Sequence, residues 1–399
     1  MKNQLSFTIF ILLLALTACS TKTPPLSEKP EQPPESTIPA PDKSAPISIH
    51  KPVEWSALTG WQDDDLLPAW KTFIQSCTVL KKQPLWQEIC ATAISLQQAD
   101  KITVRKFFEA HFLPHQILNA DGTEEGLITG YYEPLLKGSR KPSERYRYPL
   151  YAAPDQLLTI DLGAAYPELK DLRLRGRLDG RKVVPYYSRA EIMDNPAILN
   201  GYELLWVEDE VESFFLQIQG SGRVMLDNGE VLKIGYADQN GHPYNSIGKL
   251  LVQRGELPLE KASMQGIKQW GKENPGKLKE LLQQNARYVF FRELPDDLAG
   301  PIGALGVPLT AGRSIAVDPR SIPQGAPVFL ATTWPNTSKQ LSRLMMAQDV
   351  GSAIKGGIRA DFFWGFGTEA GNQAGKMKQK GKMWILMPRG YTAPVLAQQ

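Results

Sequence analysis

The sequence predicts a mainly β protein with some helices, and three observations carry that reading. Short apolar runs bounded by Gly or Pro recur through the last hundred residues, the pattern of a small closed barrel. A second group of short strand-like runs with turn signals occupies about residues 126–236. Ahead of both, apolar residues at helical spacing begin at Leu66. The chain has 399 residues, which exceeds one average domain of roughly 150, so two folded units are expected.

The N-terminus reads as a targeting segment. Lys2 supplies a small positive charge, and Leu5 to Leu16 form an apolar run of about a dozen residues, suited to secretion and too short to span a bilayer. The run ends in Leu16-Thr17-Ala18-Cys19, which resembles the bacterial lipobox. That resemblance implies removal of residues 1–18 and acylation of Cys19; a plain secretory signal that happens to leave a cysteine is the alternative. Ser20 rather than Asp after the cysteine implies the outer membrane, on its periplasmic face, where several acyl chains anchor stably. Residues 19–54, rich in Pro, Ser, Thr, Glu and Lys after the cysteine, are expected to be an unfolded tether. Stretched at about 3.1 Å per residue it would reach on the order of 100 Å.

Leu66, Leu67, Trp70, Phe73, Ile74 and Cys77 have helical spacing, and a second helical stretch runs from about Leu85 to Gln98 after Pro84. An antiparallel hairpin about that proline sets Cys77 and Cys90 level, either as a disulfide or as two buried thiols. Leu127 to Tyr132, Tyr202 to Val207 and Ser213 to Ile218 read as strands. Asp227-Asn228-Gly229 between two apolar runs is a hairpin signal. A polar helical stretch covers about Leu257 to Asn285, broken at Asn274-Pro275-Gly276. Ser314–Val317, Pro327–Thr333, Arg343–Gln348, Arg359–Trp364 and Lys382–Met387 are the strands of the barrel.

Charge excludes little but is informative. The 45 basic and 42 acidic residues nearly balance, which gives no footprint for nucleic acid. There is no Gly-x-Ser-x-Gly elbow and no Walker loop. Gly365-Phe366-Gly367 is followed by a glycine at 371, one residue late for a dinucleotide fingerprint. His111 and His115 are four apart, but Pro114 lies between them and no Glu follows His111, so a zinc helix is not expected. No metal and no cofactor is called for.

Carboxylates remain. Asp361 sits in Arg359-Ala360-Asp361-Phe362-Phe363-Trp364. Aromatic neighbours desolvate a carboxyl and raise its pKa, and a protonated acid near neutral pH is what glycosidic cleavage needs. A solvent-facing strand end or turn cap is the other reading of these few residues. Asp349 opens Asp349-Val350-Gly351-Ser352, and Asp318 lies in Val317-Asp318-Pro319-Arg320, where it reads as a turn-former rather than a catalyst.

Three aspartates at the ends of apolar strands resemble the three-aspartate domain of bacterial enzymes that cleave cell-wall glycan. Thr129-Gly130-Tyr131-Tyr132-Glu133-Pro134, Phe215-Leu216-Gln217-Ile218-Gln219-Gly220-Ser221-Gly222 and Ala360-Asp361-Phe362-Phe363-Trp364-Gly365 together resemble the membrane-bound lytic murein transglycosylase A family. The resemblance spans about Leu58 to Met387. It implies a double-psi β-barrel of about residues 55–132 and 286–395, a β-rich insert of about 133–285, and a sugar-binding groove between them.

It also implies a reaction. Asp361 would protonate the glycosidic oxygen between N-acetylmuramic acid and N-acetylglucosamine, then take a proton from the muramoyl C6 hydroxyl as that oxygen closes onto C1. Asp349 would assist. Tyr131, Tyr132 and Trp364 would be sugar platforms, with Thr129, Gln217, Gln219 and Ser221 as further substrate contacts, and Gly220 and Gly222 allowing close backbone approach. The implied partners are peptidoglycan strands and complexes that build or divide the wall. The rival readings are a hydrolase in which Asp349 activates water, and a lipoprotein that only binds peptidoglycan.

Overall fold

The computed structural model describes residues 47–169, 172 and 174–391. The expected signal peptide, Cys19 and most of the tether therefore lie outside the described residues. The end of the tether corrects the expectation: β1 (Ser48–Pro52) pairs antiparallel with β2 (Phe112–Asn119), Ser48 opposite Asn119 and Pro52 opposite His115. An edge strand can be held by ladder hydrogen bonds without large apolar side chains, so composition did not reveal it.

Between these strands stand α1 (Leu66–Leu80), α2 (Pro84–Ser95) and α3 (Lys101–His111). The first two are the expected hairpin, and a disulfide joins Cys77 to Cys90 with Cα atoms 5.2 Å apart. The third was not anticipated; Asp100 caps it by accepting from Thr103 N at 2.8 Å. Phe107 and Phe108 of α3 pack on Trp70 and Phe73 of α1.

β3 (Gly126–Glu133) passes through Pro134 into β4 (Leu135–Ser139) and a second body of structure. There β5 (Tyr148–Tyr151) is followed by a three-stranded sheet, β6 (Leu158–Ile160), β7 (Leu174–Asp179) and β8 (Lys182–Pro185). Next come α4 (Arg189–Asp194), β9 (Glu203–Val207), α5 (Glu210–Gln219), β10 (Ser221–Leu226) and β11 (Val231–Gln239). Helices α6 (Ile247–Gln253), α7 (Met264–Glu273) and α8 (Pro275–Gln283) lead to β12 (Val289–Leu294). One six-stranded sheet has the order β12-β11-β10-β4-β9-β5.

Two expectations change here. Ser213 to Ile218 is not a strand but most of α5. Asp209 accepts from Glu212 N at 2.9 Å, Glu210 and Glu212 occupy the first turn, and Gly220 closes the helix at φ +80°. Caps at both ends and acidic residues at the start outweigh the β-like aromatic pair. The second body also does not stop at residue 285, because β12 pairs with β11, Gln239 opposite Val289 and Lys233 opposite Leu294.

The chain then returns to the first body with β13 (Ser314–Val317), β14 (Pro327–Thr333), β15 (Gln340–Asp349) and β16 (Arg359–Phe366). It ends in α9 (Gly367–Lys376) and β17 (Lys378–Pro388). Six strands close a ring: β3, β16, β13, β15, β14 and β17 in order, with β17 meeting β3 again. Closure leaves the ring no free edge. Long β17 serves twice, Lys378–Gly381 against β3 and Trp384–Pro388 against β2. Ring residues such as Phe329, Met345, Phe362 and Ile385 share one core with Trp61, Trp70 and Phe73.

Candidate active site

Strand register brings the candidate residues into one row across the ring. Lys378 of β17 lies opposite Thr129 of β3, Thr129 opposite Asp361 of β16, Asp361 opposite Ala316 of β13, and Ala316 opposite Asp349 of β15. β13 pairs parallel with β15 but antiparallel with β16, so Asp349 at the C-terminal end of β15 and Asp361 near the start of β16 flank Ala316 of β13 from either side.

Thr129 Oγ1 donates to Asp361 Oδ1 at 2.5 Å. Part of Asp361 reaches solvent, yet dense protein surrounds the carboxyl. That shielding pushes its pKa up to about 6; Thr129 and Arg359 oppose the rise and the charge of Asp349 adds to it. Arg359 lies two residues back on the same strand, its Nη1 donating to Ala360 O at 2.6 Å and Leu127 O at 3.3 Å. Burial lowers the pKa of this guanidinium, and Asp361 works against that.

Asp349 is held firmly. Its Oδ2 accepts from the Tyr131 hydroxyl at 3.0 Å, and its Oδ1 accepts from Ala304 N at 3.0 Å and Val350 N at 2.9 Å. Tyr131 is buried, and that burial, with the charges of Asp349 and Asp361, keeps its hydroxyl protonated far above neutral pH. Tyr131 is therefore a wall and a hydrogen-bond donor, not an open sugar platform. Asp318 is buried and accepts from Arg320 N, Nε and Nη2 and from Gly356 N. It fastens the loop between β15 and β16, in line with its turn-forming sequence context.

Several expected substrate contacts lie elsewhere. Trp364 is three residues from Asp361, and side chains alternate along a strand, so it faces the other side of β16. It packs on Phe362 and Trp334, with Nε1 donating to Met377 Sδ at 3.3 Å. The residue on the face of Asp361 is Phe363, whose ring lies 5.1 Å from that of Tyr131. Counting by two from Asp361 finds both Phe363 and Arg359.

Gln217 is turned into the second body. Its Oε1 accepts from Arg189 Nη2 at 2.8 Å and Val289 N at 3.1 Å, so it anchors a buried guanidinium rather than a sugar. Burial pushes the pKa of Arg189 down to about 10, and its carriers are backbone carbonyls at Asn285 and Arg287 and the rings of Phe214 and Tyr288. Ser221 is buried at the head of β10. Gly222 leaves room for Leu216 Cδ1, which a Cβ there would meet at 2.5 Å, so it serves packing rather than substrate approach. Tyr132 lies against Gly371 of α9, where an added Cβ would meet its ring at 2.7 Å.

Gln219 does sit at the junction of the two bodies: its Oε1 accepts from Tyr132 N at 3.1 Å. A second link went unnoticed in the sequence. Buried Glu133 ends β3 and pairs with Arg223 of β10 at 3.4 Å, and the Arg223 guanidinium lies 3.9 Å above the Phe366 ring. Burial raises the pKa of Glu133, with Arg223 opposing.

A closed ring that carries a shielded carboxyl in this row, interrupted by a second sheet-rich body, is the frame of a two-domain enzyme. The profile described as MltA specific insert domain matches residues 127–292, and the profile described as 3D domain matches residues 313–387. A relative from Escherichia coli (strain K12), membrane-bound lytic murein transglycosylase A, is 34% identical over 278 residues, covering 68% of each chain. The crystal structure of MltA from Neisseria gonorrhoeae is 39% identical with a TM-score of 0.75, covering 86% of this chain and 94% of that one. The structure of E. coli MltA with bound chitohexaose is 28% identical with a TM-score of 0.60, covering 88% and 93%. The chain belongs to the membrane-bound lytic murein transglycosylase A family.

Proposed function

We propose that this protein is a peptidoglycan lytic transglycosylase in which Asp361 alone performs both proton transfers. The observation that carries the assignment is the shielded Asp361 carboxyl, with a pKa of about 6 and a hydroxyl donor at 2.5 Å. The relatives' names and the chitohexaose bound to the E. coli protein support a glycan substrate.

Near pH 6 both forms of Asp361 are accessible, as a residue that acts first as acid and then as base requires. Protonated Asp361 gives its proton to the oxygen leaving C1 of the muramoyl residue. The resulting carboxylate, stabilised by the Thr129 hydroxyl, takes the proton of the C6 hydroxyl as O6 bonds to C1. One C–O bond breaks and one forms, no water is consumed, and a 1,6-anhydro end results. An attack within one sugar has a high effective molarity. Asp349, negatively charged and fixed by Tyr131, favours positive charge at C1.

The hydrolytic alternative needs a second carboxylate free to activate water. Asp349 already accepts three hydrogen bonds, which favours the intramolecular route. The parallel pairs of the closed ring fit the double-psi form of barrel, and acylated Cys19 would hold the enzyme at the outer membrane through its tether.

Asp361→Asn tests the proposal on isolated sacculi. Anhydromuropeptides measured by mass spectrometry should fall by about 10²–10⁴-fold, while co-sedimentation with sacculi persists. Near-normal anhydro product would remove Asp361 from the reaction, and reducing ends from the unaltered enzyme would establish hydrolysis instead.

A further inference from the structure

Lysines stand at alternate positions from Lys376 to Lys382, where α9 ends and β17 begins. The later two are neutralised: Lys380 pairs with Glu125 at 3.5 Å and Lys382 with Glu124 at 2.8 Å. Lys376 and Lys378 are exposed, and among the described residues neither has a carboxylate within ion-pair distance. Lys378 belongs to the row that carries the site, opposite Thr129, which is itself opposite Asp361.

Neighbouring strands are about 4.8 Å apart, so Lys378 stands roughly 10 Å across the sheet from Asp361. A glycan seated with its scissile bond at Asp361 therefore brings its substituents over this part of β17. The sugars themselves, with hydroxyl and acetamido groups, offer no charge to a lysine. The peptide on the muramoyl lactyl group does, because its residues carry free carboxylates several bonds from the ring.

We propose that Lys376 and Lys378 form a subsite for the carboxylates of the peptide borne by the muramoyl residue at the cleavage point. The inference rests on the glycan-cleaving activity proposed above and adds to it a preference for peptide-bearing strands. The two glutamates that neutralise Lys380 and Lys382 confine the unbalanced positive charge to the part of the ridge beside the site.

The test compares the unaltered enzyme with a Lys376→Gln, Lys378→Gln double variant. Substrates are glycan strands that keep their peptides and the same strands stripped by an amidase. The ratio of kcat/KM, peptide-bearing over stripped, should fall roughly 3- to 10-fold in the double variant, the range expected for two exposed charge contacts. The fall should lie in KM and shrink as salt is added. An unaltered ratio overturns the proposal. A second measurement separates it from the activity: calorimetric binding of a soluble muropeptide to Asp361→Asn, with and without the lysine changes. If the unaltered enzyme makes no anhydro ends, the proposed activity fails, while weaker muropeptide binding without the lysines still supports the subsite. Equal affinity with and without them overturns it.

Discussion

Thr129 Oγ1 donates to Asp361 Oδ1 across the parallel β3–β16 pair, at 2.5 Å and at a sequence separation of 232. A hydroxyl in this position binds the carboxylate better than the acid, and so holds the pKa of Asp361 below what burial alone would set. Thr129→Val keeps the shape and removes the donor. The pKa of Asp361 should rise, moving the alkaline limb of the kcat/KM profile to higher pH, while the rate at the optimum falls because the carboxylate intermediate loses its partner. A pH–rate profile on a soluble glycan measures this. A limb that stays in place or moves down would show that Thr129 does not touch the catalytic ionisation.

Asp349 acts on Asp361 in the opposite sense, since its negative charge disfavours a second carboxylate. Asp349→Asn should therefore move the alkaline limb to lower pH. It should also slow cleavage on the order of 10-fold, because a charge aimed at the developing cation is lost. The two substitutions predict shifts of opposite sign, and the same set of profiles reads both. Shifts in one direction would mean that the substitutions act through folding instead.

The barrel is legible in sequence because strands such as β13, β14 and β16 are short apolar runs bounded by Gly or Pro, whereas β15 and β17, at 10 and 11 residues, run beyond that pattern. The site was half legible. Asp361, Thr129, Tyr131 and Asp349 come together, but the Tyr131–Asp349 bond spans 218 residues and has no local signature. Gln217 reads as a free amide until Arg189, 28 residues away, claims it. Adjacency in sequence is not adjacency on a strand: the face alternates, so Phe363 and not Trp364 takes the position beside Tyr131. The helix α5 is hidden in sequence because its Phe214-Phe215 pair has strand character, and only the caps at Asp209 and Gly220 mark it as helical.

The Cys77–Cys90 disulfide closes a loop of 13 residues in sequence, which in the chain-entropy view contributes about 3 kcal/mol. Replacing both cysteines with alanine should lower Tm by about 5–10 °C and leave the rate per folded molecule at low temperature intact, since the hairpin lies outside the row of site residues. Thermal unfolding of the two proteins side by side settles it. Matching transitions under oxidising conditions would show that the bond adds nothing to stability.

Membrane attachment through Cys19 has its own test. Cys19→Ala should release the protein from outer-membrane fractions and leave its cleavage of soluble glycan unaffected. Fractionation followed by a salt wash distinguishes an acyl anchor from surface charge. A variant that still sediments with the outer membrane after the wash would refute the anchor.

A carboxyl tuned for catalysis should cost the fold stability, and the direction can be worked out. The pKa of Asp361 is about 6 in the folded protein against an ordinary value of 3.8. Between those values the folded state binds the proton and the unfolded state does not. The stabilisation linked to that proton is complete below pH 3.8 and is lost as pH rises through about 6. Two units correspond to about 3 kcal/mol once pH exceeds both values. Asp361→Asn has no proton to lose and still offers an amide oxygen to the Thr129 hydroxyl. The variant should match the unaltered protein near pH 4 and become progressively more stable than it up to pH 7. Urea unfolding at a series of pH values reads the difference directly. A stability gap that is flat across this range would mean that Asp361 titrates alike in the folded and unfolded chain, and that the shielding of its carboxyl is not what prepares it for catalysis.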